Sequence, residues 1–312
     1  MSKGRSLALV TLAYAAAIAV ASAWLAWGPH TGLPGGGSEA TRGRALWLDT
    51  LIADLLATCV IVVFSRAYRN SSFYDAYWSV IPPLLLAYWW WQGPVGVTGP
   101  GALRCWLMAI VVGYWAVRLT GNWVYGFPGL HHEDWRYPLL RDGAGRFAFL
   151  ADLFGIHLFP TLQVFVGMLP AYVAATRPVA GWGWLAWLAF AVGIAAVTLE
   201  LAADVQMHRF VAAKRRGSTG ATVMDTGLWA WSRHPNYLGE LGFWFSLALF
   251  GISASPREAW WLFVGVALML AMFLGASIPL MEKRSLERRP QYQSVIDRVP
   301  MLLPRPPRKA AH

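Results

Sequence analysis

An amide and a carboxylate stand one helical turn apart in the stretch Ser232-Arg233-His234-Pro235-Asn236-Tyr237-Leu238-Gly239-Glu240. Pro235 suits the first turn of a helix, so Asn236 and Glu240, spaced i and i+4, share a face just inside it. In an apolar span that pair needs a polar wall or a polar guest. A carboxamide or a ribose, each with donors and acceptors, would serve. Upstream, Glu200 and Asp204 repeat the spacing at the end of another apolar run, His208 continues their face, and Arg209 follows. Glu200, Asp204 and Arg209 read either as a structural ion-pair network or as part of a site. The loop beyond carries Lys214-Arg215-Arg216 and then Gly, Ser and Thr. It reads as a grip on phosphates or as a juxtamembrane cluster on anionic lipid. A second polar stretch, GLHHEDWRYPLLRD over 129–142, holds His131, His132, Glu133 and Asp134. Their spacing matches no metal-ligand pattern, so a solvated loop and no metal site are expected. Arg136 and Tyr137 are suited to cover a bound cofactor from the side.

The elements that carry these residues are membrane helices. Of 312 residues 57% are hydrophobic and 13% are charged, with mean hydropathy +0.43 and 19 Trp. A soluble domain carries about 25% charged residues, so a typical soluble enzyme, a disordered chain and a collagen-like chain are excluded. Cys59 and Cys105 fall in apolar runs and read as small buried residues. Eight segments approach spanning length, at about 7–27, 47–65, 73–91, 103–120, 147–174, 181–203, 236–252 and 259–281. The first is followed by Gly28, Pro29 and the GLPGGG stretch, without a small-residue cleavage site after a short core, and is expected to be retained. With the N-terminus cytoplasmic, five of the 26 Lys and Arg (Arg42, Arg44, Arg104, Arg177 and Arg257) fall on the far side, and the other 21 on the cytoplasmic side. That alternation predicts both ends in the cytoplasm. It also accounts for the net charge of +10 without nucleic acid, which is not expected as a partner. Pro82-Pro83, Pro160 and Pro170 interrupt the runs, as membranes tolerate where neighbours satisfy the backbone. The Trp excess divides between interfacial belts, such as Trp89-Trp90-Trp91, and pocket walls. Half of the 16 acidic residues lie in or beside apolar runs: Asp49, Asp54, Asp75, Asp152, Glu200, Asp204, Glu240 and Glu282. Charge is costly there, so each asks for a partner or a role.

The stretch from Gly227 to Glu240, GLWAWSRHPNYLGE, resembles the C-terminal signature of steroid 5α-reductases and their bacterial membrane relatives. Sterol reductases and isoprenylcysteine carboxyl methyltransferases carry related forms. The methyltransferases share the Arg-His-Pro and the Tyr but generally lack the paired Asn and Glu. Sterol reductases tend to have Asp where Glu240 stands, so the pair favours the 5α-reductase branch. The likeness covers 195–305, and more weakly 70–140. It implies an all-α transmembrane helix bundle: a seven-helix reductase core in a single domain, 1–312, with the first span as an addition. It implies NADPH bound by the 195–305 region, with 7–120 forming the substrate side. The substrate would be a lipophilic 3-oxo-Δ4 steroid-like enone drawn from membrane lipid. The setting would be a bacterial inner membrane. By resemblance Asp204 is the cofactor-binding acid, Asn236 the nicotinamide-side amide and Glu240 the acid one turn on. Arg209, Lys214, Arg215 and Arg216 approximate phosphate-binding arginines, and Arg233, His234 and Tyr237 belong to the same cofactor signature. Arg136-Tyr137-Pro138 resembles a segment lying over the cofactor. Glu200 stands where steroid reductases tend to have Asn. The family polarises its substrate ketone with a Glu and a Tyr on two N-terminal helices, whose nearest counterparts here are Asp75 and Tyr114.

The expected activity is therefore NADPH-dependent reduction of an enone C=C, with hydride reaching the β-carbon and Tyr114 or Asp75 serving the developing enolate oxygen. The basic loop, able to hold a 2′-phosphate, favours NADP over NAD. Two alternatives remain at this level. One is an S-adenosylmethionine-dependent membrane methyltransferase using the Arg-His-Pro turn for the cofactor carboxylate. The other is a non-enzymatic membrane protein with a proton relay through Asp54 and Asp152.

Overall fold

Apolar runs punctuated by Gly and Pro become helices in the computed structural model, which describes residues 1–27, 45–177 and 183–306. The Gly-rich stretch near 33–37, Arg42, Arg44, Arg308, Lys309 and the first residues of the sixth expected span lie outside the described residues. Among those described, the regular elements are helical. The main ones are α1 (Lys3–Trp27), α2 (Leu46–Tyr68), α3 (Tyr77–Gln92), α4 (Gly99–Gly126), α5 (Arg136–Ala144), α6 (Phe159–Thr176), α7 (Gly183–Arg215), α8 (Pro235–Ala254), α9 (Val264–Met272), α10 (Ile278–Arg288) and α11 (Gln293–Arg298). π-helical turns lead into α6 (Ala151–Leu158) and join α9 to α10 (Phe273–Ser277).

Seven helical runs are long and apolar enough to cross a membrane, and the chain is an integral membrane protein. The third expected span is shorter than the sequence suggests. Asn70 caps a 3-10 turn, its side chain accepting from the Ser72 amide at 2.9 Å, so the α-helix begins only at Tyr77. At 16 residues α3 is about 24 Å long, against a hydrocarbon core of about 30 Å. It still carries the chain from one end of the bundle to the other. Its start lies by Asp75, tied to Tyr137. Its last turn places Trp89 Nε1 2.9 Å from Thr50 Oγ1, near the start of α2. At that far end Arg104 donates to the carbonyls of Ala174 and Arg177, and Arg177 pairs with Glu258 at 3.2 Å. At the other end Lys3 donates to the Tyr125 carbonyl, Tyr125 packs on His208, Gln206 accepts from the Leu228 amide, and the Arg233 amide bonds to Pro300. The segments thus alternate in direction, as the charge pattern requires. Most of the described Lys and Arg gather at this second end, the basic end.

Small residues set how closely the helices approach. A Cβ on Gly239 of α8 would lie 2.7 Å from the Ala196 carbonyl oxygen and overlap the Glu200 side chain on α7. Gly239→Ala should therefore force α7 and α8 apart beside the acidic cluster, at a cost of about 1–3 kcal/mol. The readout is the melting temperature of the detergent-solubilised protein. Gly113→Ala, with open space around its Cβ, should leave it unchanged. Trp27, Trp91 and Trp260 are exposed at the periphery, but Trp89, expected in an interfacial belt, is fully buried in the core with Trp115 and Trp244, because its indole turns inward to donate to Thr50.

Candidate functional site

Three of the four residues in the two i, i+4 pairs converge on a single guanidinium. Arg118 projects from α4 to an ion pair with Glu200, to Asp204 at 2.8 Å and to Glu240 at 3.7 Å. Asn122, one turn further along α4, donates to Asp204 Oδ2 at 3.2 Å. Both oxygens of Glu240 are held by indoles: Trp115 Nε1 at 3.0 Å and Trp244 Nε1 at 2.8 Å. Glu200 is 1% exposed, Glu240 6% and Arg118 8%. Within this dry cluster Glu200 Oε1 and Arg118 Nε have no hydrogen-bond partner. Three carboxylates face one guanidinium, so the cluster holds more acid than base. Glu200 and Asp204 thus do form an ion-pair network, but with Arg118 in place of Arg209.

A cavity of about 500 Å³ opens beside the cluster, between α4 and α7 at the basic end. Arg118, Asn122, Asp204, His208 and Arg209 supply its polar lining, and Val117 and Leu201 part of its apolar wall. Its face on α7 runs through Asp204, Val205, His208, Arg209 and Ala212, and Arg216 lies one turn further on. Lys214 and Arg215 are exposed at the end of α7, Lys214 donating to the Thr222 carbonyl at 3.2 Å. Asn236 is half-buried on α8, one turn from Glu240, and its amide makes no hydrogen bond to another described residue. Tyr237 is stacked between His234 and Phe273, with centroids 5.3 and 4.3 Å away.

Other residues of the signature have structural partners. Arg233 pairs with Glu282 at 2.7 Å and donates to the carbonyls of Ile296 and Val299, while His234 Nε2 lies 3.0 Å from the same Glu282. Arg136 pairs with Asp134 through two hydrogen bonds of 2.8 and 3.1 Å. Burial works against the Asp134 carboxylate, but the hydrogen bonds and charge of Arg136 outweigh it and hold the carboxyl below its usual range. Tyr137 donates to Asp75, in the turn ahead of α3. Burial lifts the Asp75 carboxyl to about 6, with the Tyr137 hydrogen bond opposing. Tyr114 lies 3.4 Å from Thr198 on α7. No contact among the described residues joins Asp75 to Tyr114.

Two features escape a reading of the sequence. Arg118 looks like a loop charge when the span is ended at 120, but α4 continues to Gly126 and buries it two turns inside. A basic residue within an apolar run, with Asn122 and further helix beyond, is the signal that finds it. Glu133 is not simply solvated: it pairs with Arg141 and accepts from the Ser71 amide at 2.7 Å, and Arg141 also reaches Asp152 at 2.9 Å. His131 and His132 are exposed.

No solved structure matches this chain. It is 29% identical over 259 residues to an uncharacterized protein of Schizosaccharomyces pombe, C594.04c, across 76% of this chain and 73% of the yeast protein. Residues 61–299, from within α2 to the end of α11, match the family described as protein of unknown function, DUF1295, and the chain belongs to that family.

Proposed function

We propose that the chain is an NADPH-dependent membrane reductase acting on the C=C of a lipophilic enone, with a 3-oxo-Δ4 steroid-like ring as the substrate class. The observation that carries this reading is the gradient along the α4–α7 cavity. Its floor is acidic and hydrogen-bonding, from Asp204 with Glu200 and Glu240 behind it. Further along α7 the lining turns cationic at Arg209, and the exposed Lys214, Arg215 and Arg216 follow at the helix end. An elongated ligand with a neutral polar end and a polyanionic end fits that polarity. Directly behind that floor, Glu200 Oε1 and Arg118 Nε are buried without hydrogen-bond partners, so the cluster has polar capacity to spare. The likeness of 227–240 to 5α-reductases adds to it.

In this reading Asn236, Glu240 and Asp204 hold the nicotinamide and ribose end. Arg209, with Lys214, Arg215 and Arg216, holds the phosphates, and Arg136 and Tyr137 lie over the site. The basic end then faces the cytoplasm. Bound NADPH supplies the hydride. Arg118 fixes the three acids in place, and the buried indoles of Trp115 and Trp244 keep Glu240 oriented and dry. Asp75, raised by burial to about 6 against the lowering effect of the Tyr137 hydrogen bond, can in its protonated form donate to the charge developing on the substrate oxygen, and the Tyr114 hydroxyl can do the same. The methyltransferase reading needs a free Arg233 for a cofactor carboxylate. Here Arg233 is spent on Glu282 and two carbonyls.

NADPH should raise the melting temperature of the detergent-solubilised protein, by the equivalent of about 2.7 kcal/mol at a hundredfold excess over Kd, and S-adenosylmethionine should not. Asn236→Ala should remove most of that shift. Steady NADPH oxidation should follow addition of 3-oxo-Δ4 steroids and fall in Asp75→Asn and Tyr114→Phe. The absence of any NADPH shift, together with an inert Asn236→Ala, would sink the reading.

A further inference from the structure

One face of α2 is polar through much of the bundle. Thr50, Asp54, Thr58 and Ser65 lie on one stripe, and all four are buried. Each has a polar partner across a helix interface. Trp89 donates to Thr50 at 2.9 Å, and the Tyr77 hydroxyl donates to Asp54 Oδ1 at 2.9 Å. Thr58 and Thr161 share a hydrogen bond of 3.0 Å, and Ser65 and His157 one of 3.1 Å. The Tyr74 hydroxyl closes on Thr161 at 2.8 Å, and Thr58 lies beside the Tyr77 hydroxyl without a direct hydrogen bond to it. Two hydrogen-bonded pieces lie end to end: Asp54 with Tyr77, and Thr58 with Thr161 and Tyr74. The four hydroxyls of this run can each donate and accept at once. The Tyr74 ring then meets His157 edge-on, 5.4 Å between centroids. His157 is bonded to the Asp152 carbonyl, and Asp152 accepts from Ser71 at 2.7 Å and pairs with Arg141, which is part-exposed at the basic end.

Interhelical hydrogen bonds between hydroxyls are ordinary glue in a membrane bundle, about 1–2 kcal/mol each in model peptides. That accounts for the threonines. It does not account for Asp54, since a serine or threonine would accept from Tyr77 without the insertion cost of an acid, about 2.5–3.5 kcal/mol at the centre of a span. Among the described residues, the groups around Asp54 are phenols: Tyr77, Tyr74, and Tyr14 edge-on to Tyr77. We propose that Asp54 exchanges a proton with the basic end of the bundle along this run, a proton-transfer path separate from the α4–α7–α8 site. A proton entering at Tyr74 moves hydroxyl to hydroxyl. Each oxygen accepts one proton and releases the one it held, so Asp54 takes up a single proton, each hydroxyl keeps one turned to its other neighbour, and the reverse passage returns the proton and the starting orientation. The Thr58–Tyr77 and His157–Tyr74 contacts are the steps without a hydrogen bond, and they gate the exchange. The path stands whether or not the reductase reading holds, because its test needs neither cofactor nor substrate.

The test is infrared spectroscopy of the full chain in lipid. Wild type minus Asp54→Asn should isolate one protonated-carboxyl band, since asparagine keeps the acceptor for Tyr77 and the fold. In D₂O that band should shift, and Thr161→Val should slow the shift by roughly tenfold, the effect of about 1.4 kcal/mol on a barrier. Tyr74→Phe should do the same and serves if Thr161→Val folds poorly. A purely structural role gives the opposite sign, because a loosened α2–α6 contact admits water faster. The proposal is overturned if Asp54→Asn removes no band, or if exchange in the two hydroxyl variants is as fast as in wild type or faster.

Discussion

Arg118→Leu should destabilise the protein by about 3–5 kcal/mol, because it strips the buried Glu200 and Glu240 and the part-buried Asp204 of their shared cation. Domains of ordinary stability hold only about 5–15 kcal/mol in reserve, so poor yield and a broad, lowered melting transition are the expected signs. Arg118→Lys should recover part of the loss. An ammonium is a point charge and cannot reach Glu200, Asp204 and Glu240 at once, as the planar guanidinium does. The diagnostic variant is Glu200→Gln in each background. With Arg118 present it removes one of three like charges and should leave the melting temperature equal or higher. With leucine at 118 it should restore part of the lost stability, since fewer uncompensated charges remain. A melting temperature for Arg118→Leu close to the parent would mean that these acids are not jointly dependent on Arg118.

How much of this was legible in the sequence follows from the range of the forces involved. The alternation of basic residues and the apolar runs are local records of the membrane, and they anticipated the helical bundle and the sorting of its loops. The i, i+4 spacing of Glu200 with Asp204 and of Asn236 with Glu240 anticipated which face each helix turns inward. It could not show that Glu200, Asp204 and Glu240 meet at Arg118, because that meeting is set by the crossing of α4 with α7 and α8. The small residues Gly193 and Gly239 permit that crossing without announcing it. The same limit applies to α3, whose late start depends on the Asn70 cap and on the carbonyls of Leu130 and His132 that hold the Asn70 amide. Tyr77 and Thr161 are unremarkable alone and gain meaning only when α2, α3 and α6 set them beside Asp54 and Thr58. Arg233 and His234 show the reverse error. Their place in a cofactor-like signature suggests a ligand role, yet the chain folds its own C-terminal segment onto Arg233.

Arg233→Ala should release residues 289–306 from the basic end while the helices above stay folded. Arg233 ties that segment down at several points: its amide to Pro300 at 2.9 Å, Nη1 to the carbonyls of Ile296 and Val299, and Nε to Glu282 on α10. Ser232, Trp231 and Asp225 add bonds to Met301, Arg305 and Arg298. Truncating the buried member of such a pair costs about 3–5 kcal/mol, largely because the partner acid and the carbonyls are left without donors. The cost falls on one local unit, so limited tryptic digestion at Arg298 should quicken sharply with only a small change in the melting temperature of the bundle. Glu282→Ala should show the same digestion pattern, and the double variant should be little worse than either single one, because both remove the same coupling. A cofactor-binding role for Arg233 makes a different forecast. Glu282→Ala would then leave the guanidinium free, and ligand affinity would hold or rise while only Arg233→Ala lost it. Equal loss of segment protection in both variants assigns Arg233 to the clamp, and the basic stretch from Arg209 to Arg216 is then left as the anion-binding part of the site.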